Sequence, residues 1–235
     1  MKISVFAGLI CLLVASSALA QGGKQWSDWS KREVDKMLND SAWAQSFKKG
    51  EDQPVMTSRS GGSGNQGQGI QGPAPEPTEV NVRVRLITAK PIREGFANRV
   101  LKGQSSPPPD LAGKLQTAID NGFGDFIVVA VNVDGPNPRT VGATLQALMR
   151  LKAEDLEDKV YLERKDGKRL QLLEYKTPIA DDMGGKFVFA RTLDGSPFLG
   201  PSSENVRFVL NQPGNLRLNV RFDVSKMTYN GNLEY

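Results

Sequence analysis

An unbroken apolar run at Phe126–Val131 constrains the fold of this chain more than any other feature. β-Branched residues dominate the run, Gly124 precedes it, and Asp134-Gly135-Pro136 follows it. A run this short, enclosed by turn-forming residues, is typical of a strand that is covered on both faces. We therefore predict a buried strand over residues 125–133, and we expect the chain from Val80 onward to shield it.

Periodicity predicts the elements around this strand. Residues 80–86 alternate apolar and polar side chains, which is the pattern of a strand with one buried face. Stripes of apolar residues predict three helices. One helix starts at Pro91, one runs from Asp110 to Asn121, and one has Thr140 as its N-cap.

Short runs of strand-forming residues predict further strands toward the C-terminus, at residues 160–164, 168–173, 186–192, 206–211 and 216–224. Asp166-Gly167 predicts a two-residue hairpin turn between the first two. The alternating apolar residues are even-numbered up to Val224 and odd-numbered from Met227 onward. Because one strand cannot switch faces in this way, a bulge or a turn is predicted at Ser225-Lys226. Helices followed by many strands predict an α+β domain over residues 80–235, with a mostly antiparallel sheet and about three helices.

The first twenty residues have the pattern of a secretory signal peptide. Lys2 precedes an apolar stretch that is too short to span a membrane comfortably, and Ala18-Leu19-Ala20 forms a small-x-small cleavage pattern. A retained anchor is the alternative. Cys11 is the only cysteine, and the bulky Ile10 before it argues against lipidation. We predict an extracytoplasmic protein, periplasmic or secreted, with neither a disulfide nor a transmembrane segment after cleavage.

A short head with its own helix is predicted at residues 21–49. Ser30 and Glu33 have the spacing of a capping box, and Trp29 and Val34 occupy the positions of a hydrophobic staple. These two signals predict a helix that begins directly after Ser30.

The tryptophans of the chain are Trp26, Trp29 and Trp43, and all of them fall in this head. Residues 50–79 after it are rich in Gly, Ser and Pro, which predicts a disordered linker. Two interpretations stay open for the tryptophans. They form an aromatic docking arm for a partner, or they fold back and cap the chain's own core.

Charge and composition exclude several functions. The formal net charge of +4 is spread along the chain without a basic run, so we predict no nucleic-acid partner. Histidine is absent, which removes the most common general base and the most common metal ligand. We predict no cofactor and no metal site.

Three sets of short motifs resemble those of one group of secreted bacterial proteins of unknown function. The head contributes Trp26-Ser-Asp-Trp29 and Asn39-Asp-Ser-Ala-Trp-Ala44, the core contributes Ala89-Lys-Pro-Ile-Arg93, and the tail contributes Met227-Thr-Tyr-Asn-Gly231. The resemblance implies export and a bacterial source. It implies no catalytic residues.

Carboxylates are the main candidates for chemistry. Asp181 and Asp182 precede two glycines, where they would bind a hard cation or belong to a solvated loop. Asp134 follows the central strand and is either a catalytic carboxylate or a turn-forming residue. Ser46 and Lys49 match the Ser-x-x-Lys spacing of some acyl-transferring enzymes, but a Lys-Thr-Gly motif is missing.

Arginines are the main candidates for binding. Arg83 and Arg85 point outward from one predicted strand, and Arg217 and Arg221 from another. If these two strands pair, the four guanidinium groups share one sheet face and can receive carboxylates or phosphates. The alternative is an ordinary solvated face with partners such as Asp223.

These observations favour an exported, non-catalytic binding protein or envelope-associated interaction protein. The predicted partner is an envelope protein or an anionic polymer. The alternative is a carboxylate-dependent glycan hydrolase that uses Asp125, Asp134, Asp181 or Asp182 as acid and base. The predicted binding residues are Trp26, Trp29, Trp43, Arg83, Arg85, Arg217 and Arg221.

Overall fold

The structure is a computed structural model that describes residues 24–49, 79–211 and 217–235. The predicted signal peptide at residues 1–20 lies outside the described residues, and so does the predicted linker apart from its two ends. None of the helices in these ranges has the length and apolar composition that a membrane crossing requires.

Helices and strands alternate irregularly along the described ranges. The α-helices are α1 (Lys31–Asn39), α2 (Lys90–Lys102), α3 (Leu111–Asn121) and α4 (Pro138–Met149). The strands are β1 (Ala44–Lys49), β2 (Val80–Leu86), β3 (Phe126–Asp134), β4 (Val160–Arg164), β5 (Arg169–Lys176), β6 (Gly185–Ala190), β7 (Thr192–Leu193), β8 (Ser196–Pro197), β9 (Asn205–Asn211), β10 (Arg217–Asp223), β11 (Thr228–Tyr229) and β12 (Asn232–Leu233). Short 3-10 helices lie at Trp26–Asp28, Ala153–Leu156 and Val224–Lys226.

Eight strands form one antiparallel sheet in the order β1-β2-β3-β6-β5-β4-β9-β10. The pairs β7-β8 and β11-β12 are separate. The predicted mixed α+β class is confirmed. The finer description as a mostly antiparallel sheet fits only roughly, because the eight-stranded sheet curves until its two edge strands approach each other. The edge strands approach each other where the Gln45 side-chain amide donates to the Arg221 carbonyl, so the sheet is strongly curved.

The predicted central strand is β3. Ile127–Val131 is buried, as the apolar run indicates, and β3 lies between β2 and β6. Phe126 differs, because it is the first residue of the strand and remains 45% exposed. On the inner face, aromatic rings from strands that are not adjacent in the sheet meet in the core, with the centroids of Phe187 on β6 and Phe208 on β9 5.3 Å apart. Such tilted aromatic pairs add to the stabilisation from burial.

Local turn chemistry corrects two predictions. Asn137, not Thr140, caps α4, because Pro138 takes the first helical position and the Asn137 side chain accepts from the next two backbone N–H groups. The β4–β5 turn has three residues rather than two. Arg164 N donates to Lys168 O, and Gly167, at φ 82°, supplies the left-handed residue of a bulged hairpin. The parity change after β10 is a turn, the 3-10 helix at Val224–Lys226.

The N-terminal residues belong to the core. Trp26, Trp29 and Trp43 are 6%, 0% and 5% exposed, and β1 is a strand of the main sheet. The Asn98 amide on α2 donates to the carbonyls of Trp26 and Trp29, at 2.6 and 3.3 Å. Their burial agrees with the interpretation that they cap the chain's own core and contradicts the docking arm, and the pairing of β1 in the main sheet corrects the prediction of a separate head. A helix as short as α1 is marginal alone, although its capping box is present, so it needs a tertiary surface to pack against.

The C-terminal tail packs on Trp43. Tyr229 contacts Trp43 edge to face with ring centroids 6.2 Å apart, and Trp43 Nε1 donates to Glu234 O at 2.7 Å. Tyr235 donates from its hydroxyl to Leu199 O at 3.0 Å. The tail therefore ties β1 to the body of the domain.

A buried carboxyl beneath the tail makes stability depend on pH. The Tyr229 hydroxyl donates to Glu94, which is 6% exposed. Burial raises the pKa of Glu94 and the charge of Glu234 adds to the shift, although this hydrogen bond and the charges of Lys90 and Arg93 oppose it. The folded state therefore binds this proton more tightly than the unfolded state. The contribution of Glu94 to stability is fully present below the ordinary pKa and is lost as pH rises through the folded value.

Replacing Glu94 with glutamine should therefore stabilise the protein at neutral pH, because the amide accepts the same hydrogen bond without a buried charge. The difference from wild type should shrink as pH falls toward 4.5, the ordinary value for a glutamate. Urea unfolding between neutral pH and pH 4.5 measures the difference in the free energy of unfolding, and Glu157→Gln at an exposed position is the control. A difference that does not change with pH would contradict the assignment.

Candidate anion-binding surface

The four predicted arginines separate into two pairs. Arg83 and Arg85 lie on β2, which pairs with β1 and β3, whereas Arg217 and Arg221 lie on β10, which pairs with β9. The condition under which the four guanidinium groups would share one sheet face is therefore not met. Sequence periodicity missed β1, which pairs with β2 along the side where β10 was expected.

Arg85 is buried instead of pointing into solvent. Its Nε donates to Leu38 O at 2.5 Å and its Nη2 donates to Asn39 Oδ1 at 2.9 Å, while its guanidinium lies over the Phe96 ring. The alternation of β2 is as predicted, but α1 and α2 cover this outer face. Burial, with smaller contributions from the charges of Arg83 and Arg99, lowers the pKa of Arg85 to about 10, so the group remains charged at neutral pH.

The candidate carboxylates serve mainly as partners of neighbouring groups. Asp134 ion-pairs with Arg83 and accepts from the Asn81 amide at 2.9 Å. Asp181 accepts from the Met183 backbone N–H and pairs with Lys186 at 2.6 Å. Within the described ranges, no group of three or more Asp, Glu, His or Cys side chains could hold a metal ion.

The Ser-x-x-Lys candidate has no catalytic arrangement around its serine. Ser46 Oγ donates to the Asn39 carbonyl at 2.9 Å, so β1 and the end of α1 hold it in place. This hydrogen bond is a structural contact between the helix and the strand.

Arg217 and Arg221 are exposed on the outer face of β10, as predicted. The register places Arg221 opposite Arg207 on β9, Arg207 opposite Glu163 on β4, and Glu163 opposite Arg169 on β5. We call these four residues the arginine row. Sequence analysis missed three of its members. The predicted two-residue turn would place Glu163 opposite Leu170, whereas the observed three-residue turn places it opposite Arg169.

One carboxylate serves two guanidinium groups in this row. Arg169 Nη2 lies 2.9 Å from Glu163 Oε1, and Arg207 Nη2 pairs with Glu163 Oε2. The Arg169 hydrogen bond, followed by the charges of Arg207 and Arg169, lowers the pKa of Glu163 against the effect of burial. Arg169 also stacks on Tyr161 with its guanidinium carbon 4.2 Å from the ring centroid.

The end of the row lacks a counter-ion. The guanidinium groups of Arg221 and Arg217 have no partner among the described residues. Arg169, Arg207, Arg217 and Arg221 share this face with Glu163 and Asp223, so four positive and two negative charges give a net charge of +2, and Asp223 pairs with Lys226 at 3.1 Å. Like charges placed directly opposite each other, as at Arg207 and Arg221, destabilise a sheet.

Polar side chains continue beside the arginine row. Gln171, Tyr161 and Asn219 lie on the same outer face, two residues along their strands from the arginine row, and the buried Val209 stands between Tyr161 and Asn219 in the register. The helix α1 packs on β1 and β2, α2 packs on α1, α3 and the first 3-10 helix, and α4 contacts β3. The outer face of β5, β9 and β10 presents guanidinium and amide groups to solvent, and the half-buried Tyr161 on β4 adds a phenol.

Comparisons with known proteins add little to this picture. No family model and no curated protein matches the chain. Among solved structures, a protein of unknown function from Burkholderia pseudomallei is similar at 13% identity and a TM-score of 0.40, covering 60% of this chain and 74% of that one. A likeness this low says nothing about function.

Proposed function

We propose that this protein is an exported, non-catalytic binding protein of the bacterial envelope that holds an anionic glycan on its arginine-rich sheet face. The single observation that carries the proposal is the register pair Arg207–Arg221, with the Arg221 guanidinium unpartnered among the described residues. The signal-peptide pattern at residues 1–20 supports the exported location.

The electrostatics of the row favour an external anion. Glu163 neutralises one of the two positive charges of Arg169 and Arg207. The charges of Arg217 and Arg221 have no ionic partner among the described residues. An anion beside Arg207 and Arg221 would relieve the repulsion between them. Guanidinium forks bind carboxylates and phosphates with two parallel hydrogen bonds, which gives geometric selectivity as well as energy.

The neighbouring side chains favour a glycan over an acidic polypeptide. Gln171 and Asn219 offer donors and acceptors suited to hydroxyl groups, and Tyr161 adds a phenol and an aromatic ring. These groups lie two residues along the strands from the arginine row, on the same face of the sheet. A polymer that carries both hydroxyl and carboxylate groups, such as a uronic-acid glycan, matches two such adjacent rows.

The double variant Arg217→Glu/Arg221→Glu should bind polygalacturonate, a carboxylate-bearing glycan, on the order of 100-fold more weakly than wild type. Each replacement removes a charged hydrogen bond of about 1.5–3 kcal/mol and adds repulsion. Calorimetric titration at low and high salt measures the affinity, and binding by wild type should weaken as salt rises.

The matched control is Arg139→Glu/Arg150→Glu, because both arginines are exposed on or beside α4 and the change in net charge is the same. If the control variant lost as much affinity for polygalacturonate, the overall charge of the protein would explain the effect, and a localised site would be contradicted. Tighter binding of poly-L-glutamate than of polygalacturonate would identify an acidic protein partner instead. Binding of neutral dextran with equal affinity would exclude an anion site.

A glycan hydrolase is the second candidate, because Asp134 and Asp182 line one cleft of about 720 Å³. Against it, the Asp134 side chain is 41% exposed and already engaged by Arg83 and Asn81, whereas a glycosidase acid is held in a desolvated setting. The test is the release of new reducing ends from polygalacturonate. Release that Asp134→Asn or Asp182→Asn abolishes would replace the binding function with an enzymatic one.

A further inference from the structure

A second polar site lies away from the arginine row, in the cleft of about 720 Å³. Its walls come from α1, α2, α4, the middle of β2, the end of β3 and the loop before β6. The side chains that matter are Asp35, Arg83, Arg99, Asp134, Ile179 and Asp182. The volume falls within the range of small-molecule sites, which is about 300–1,000 Å³.

Most charges in this cleft neutralise each other. Arg83 pairs with Asp134, and Arg99 Nη2 lies 3.5 Å from Asp35 Oδ1. These two pairs leave no net charge. The electrostatic character of the cleft therefore depends on charged groups outside them.

Two opposite charges remain without an ionic partner. The Asp182 carboxylate is exposed and accepts no hydrogen bond from the described residues. Arg85, 1% exposed, lies behind the cleft and bonds only to the neutral oxygens of Leu38 and Asn39, and Asn39 itself lines the cleft. Nη1 of Arg85 is buried and has no hydrogen-bond partner in the described part of the chain.

The Asp182 segment is held in a fixed conformation. Asp182 has φ 58° and Gly184 has φ 88°, and the Asn132 amide donates to the Asp182 carbonyl at 2.9 Å. A left-handed aspartate is uncommon and costs conformational energy, and such positions are concentrated at ligand sites. Ile179, 66% exposed, adds an apolar wall beside Leu145.

We propose that this cleft binds a small zwitterionic ligand with an apolar side chain, namely a free amino acid or a short peptide. The ligand's ammonium group would contact Asp182, its carboxylate would lie toward Arg99 and the field of Arg85, and its side chain would pack on Ile179. The site is independent of the arginine row, so the two proposals can fail separately.

Titration of the full-length protein with leucyl-leucine tests this assignment. The dipeptide should bind, while N-acetyl-leucyl-leucine and leucyl-leucine amide, which each lack one charge, should bind about tenfold or more weakly. Asp182→Asn should weaken dipeptide binding by a similar factor without changing the affinity for the N-acetylated form. Asparagine accepts the left-handed conformation, so the loop geometry should persist.

Two control variants outside the cleft test whether the dipeptide binds there. Asp194→Asn changes another exposed aspartate at positive φ, in the β7–β8 turn, and should leave dipeptide affinity unchanged. Arg217→Glu/Arg221→Glu should leave it unchanged as well. The proposal is overturned if the dipeptide does not bind, if the blocked forms bind as tightly, or if Asp194→Asn weakens binding as much as Asp182→Asn.

Discussion

Replacing Trp29 with alanine is expected to lower the free energy of unfolding by about 3–5 kcal/mol, because truncating a buried aromatic ring leaves a cavity. The Trp29 side chain is fully buried. It packs where α1, α2 and the first 3-10 helix meet, and Lys102 Nζ donates to its carbonyl at 2.5 Å. The loss therefore affects the core and not a peripheral arm.

Urea denaturation of the full chain measures this loss. The control is Phe126→Ala, since Phe126 is an aromatic residue that remains 45% exposed. The control should cost about 1 kcal/mol or less. If Trp29→Ala cost no more than Phe126→Ala, residues 24–49 would not be part of the cooperative core.

Replacing Gly184 with alanine is expected to cost more than about 3 kcal/mol, from two additive causes. At φ 88° a side chain is strained by roughly 1–2 kcal/mol. The added Cβ would also lie 2.1 Å from the Val131 carbonyl oxygen, which belongs to the central strand. Backbone atoms of a buried strand cannot move aside without disturbing the core around them.

Gly113→Ala is the matched control for this substitution. Gly113 lies in α3, and an added Cβ would have no heavy atom within 4 Å. Alanine there should stabilise the helix by about 0.5–1 kcal/mol. Thermal and chemical unfolding of both variants measures the change in the free energy of unfolding. A Gly184→Ala protein as stable as wild type would contradict the close approach of this loop to β3.

The two proposed sites depend on charges that the fold leaves without partners. At the arginine row the register brings Arg207 and Arg221 together with one carboxylate nearby. In the cleft, Arg85 and Asp182 carry opposite charges that no neighbour neutralises through a direct contact. Both arrangements cost folding energy, and a bound ligand would offset that cost.

The binding residues were only partly predictable from the sequence. The alternation of apolar and polar residues correctly predicted that Arg217 and Arg221 point outward, because the side-chain direction in a strand follows from local geometry. It could not show that Glu163 stands beside Arg207, since these two residues are 44 positions apart and such distant pairing leaves no local signal. The Arg207–Arg221 pair lies across the consecutive strands β9 and β10, whose register the sequence alone did not assign. Arg85 was predicted outward and is buried for the same reason, because its cover comes from a helix more than forty residues earlier.

The sequence by itself determined the local elements of this protein. The apolar run made β3 a buried strand, strict alternation defined β2, and Ser30 with Glu33 began α1. These features depend on the side-chain periods of strands and helices and on contacts between near neighbours. Only the tertiary structure decided that β1 and the tryptophans join the core and which sheet face stays open. Those outcomes depend on which distant segments bury one another's surfaces as the chain closes.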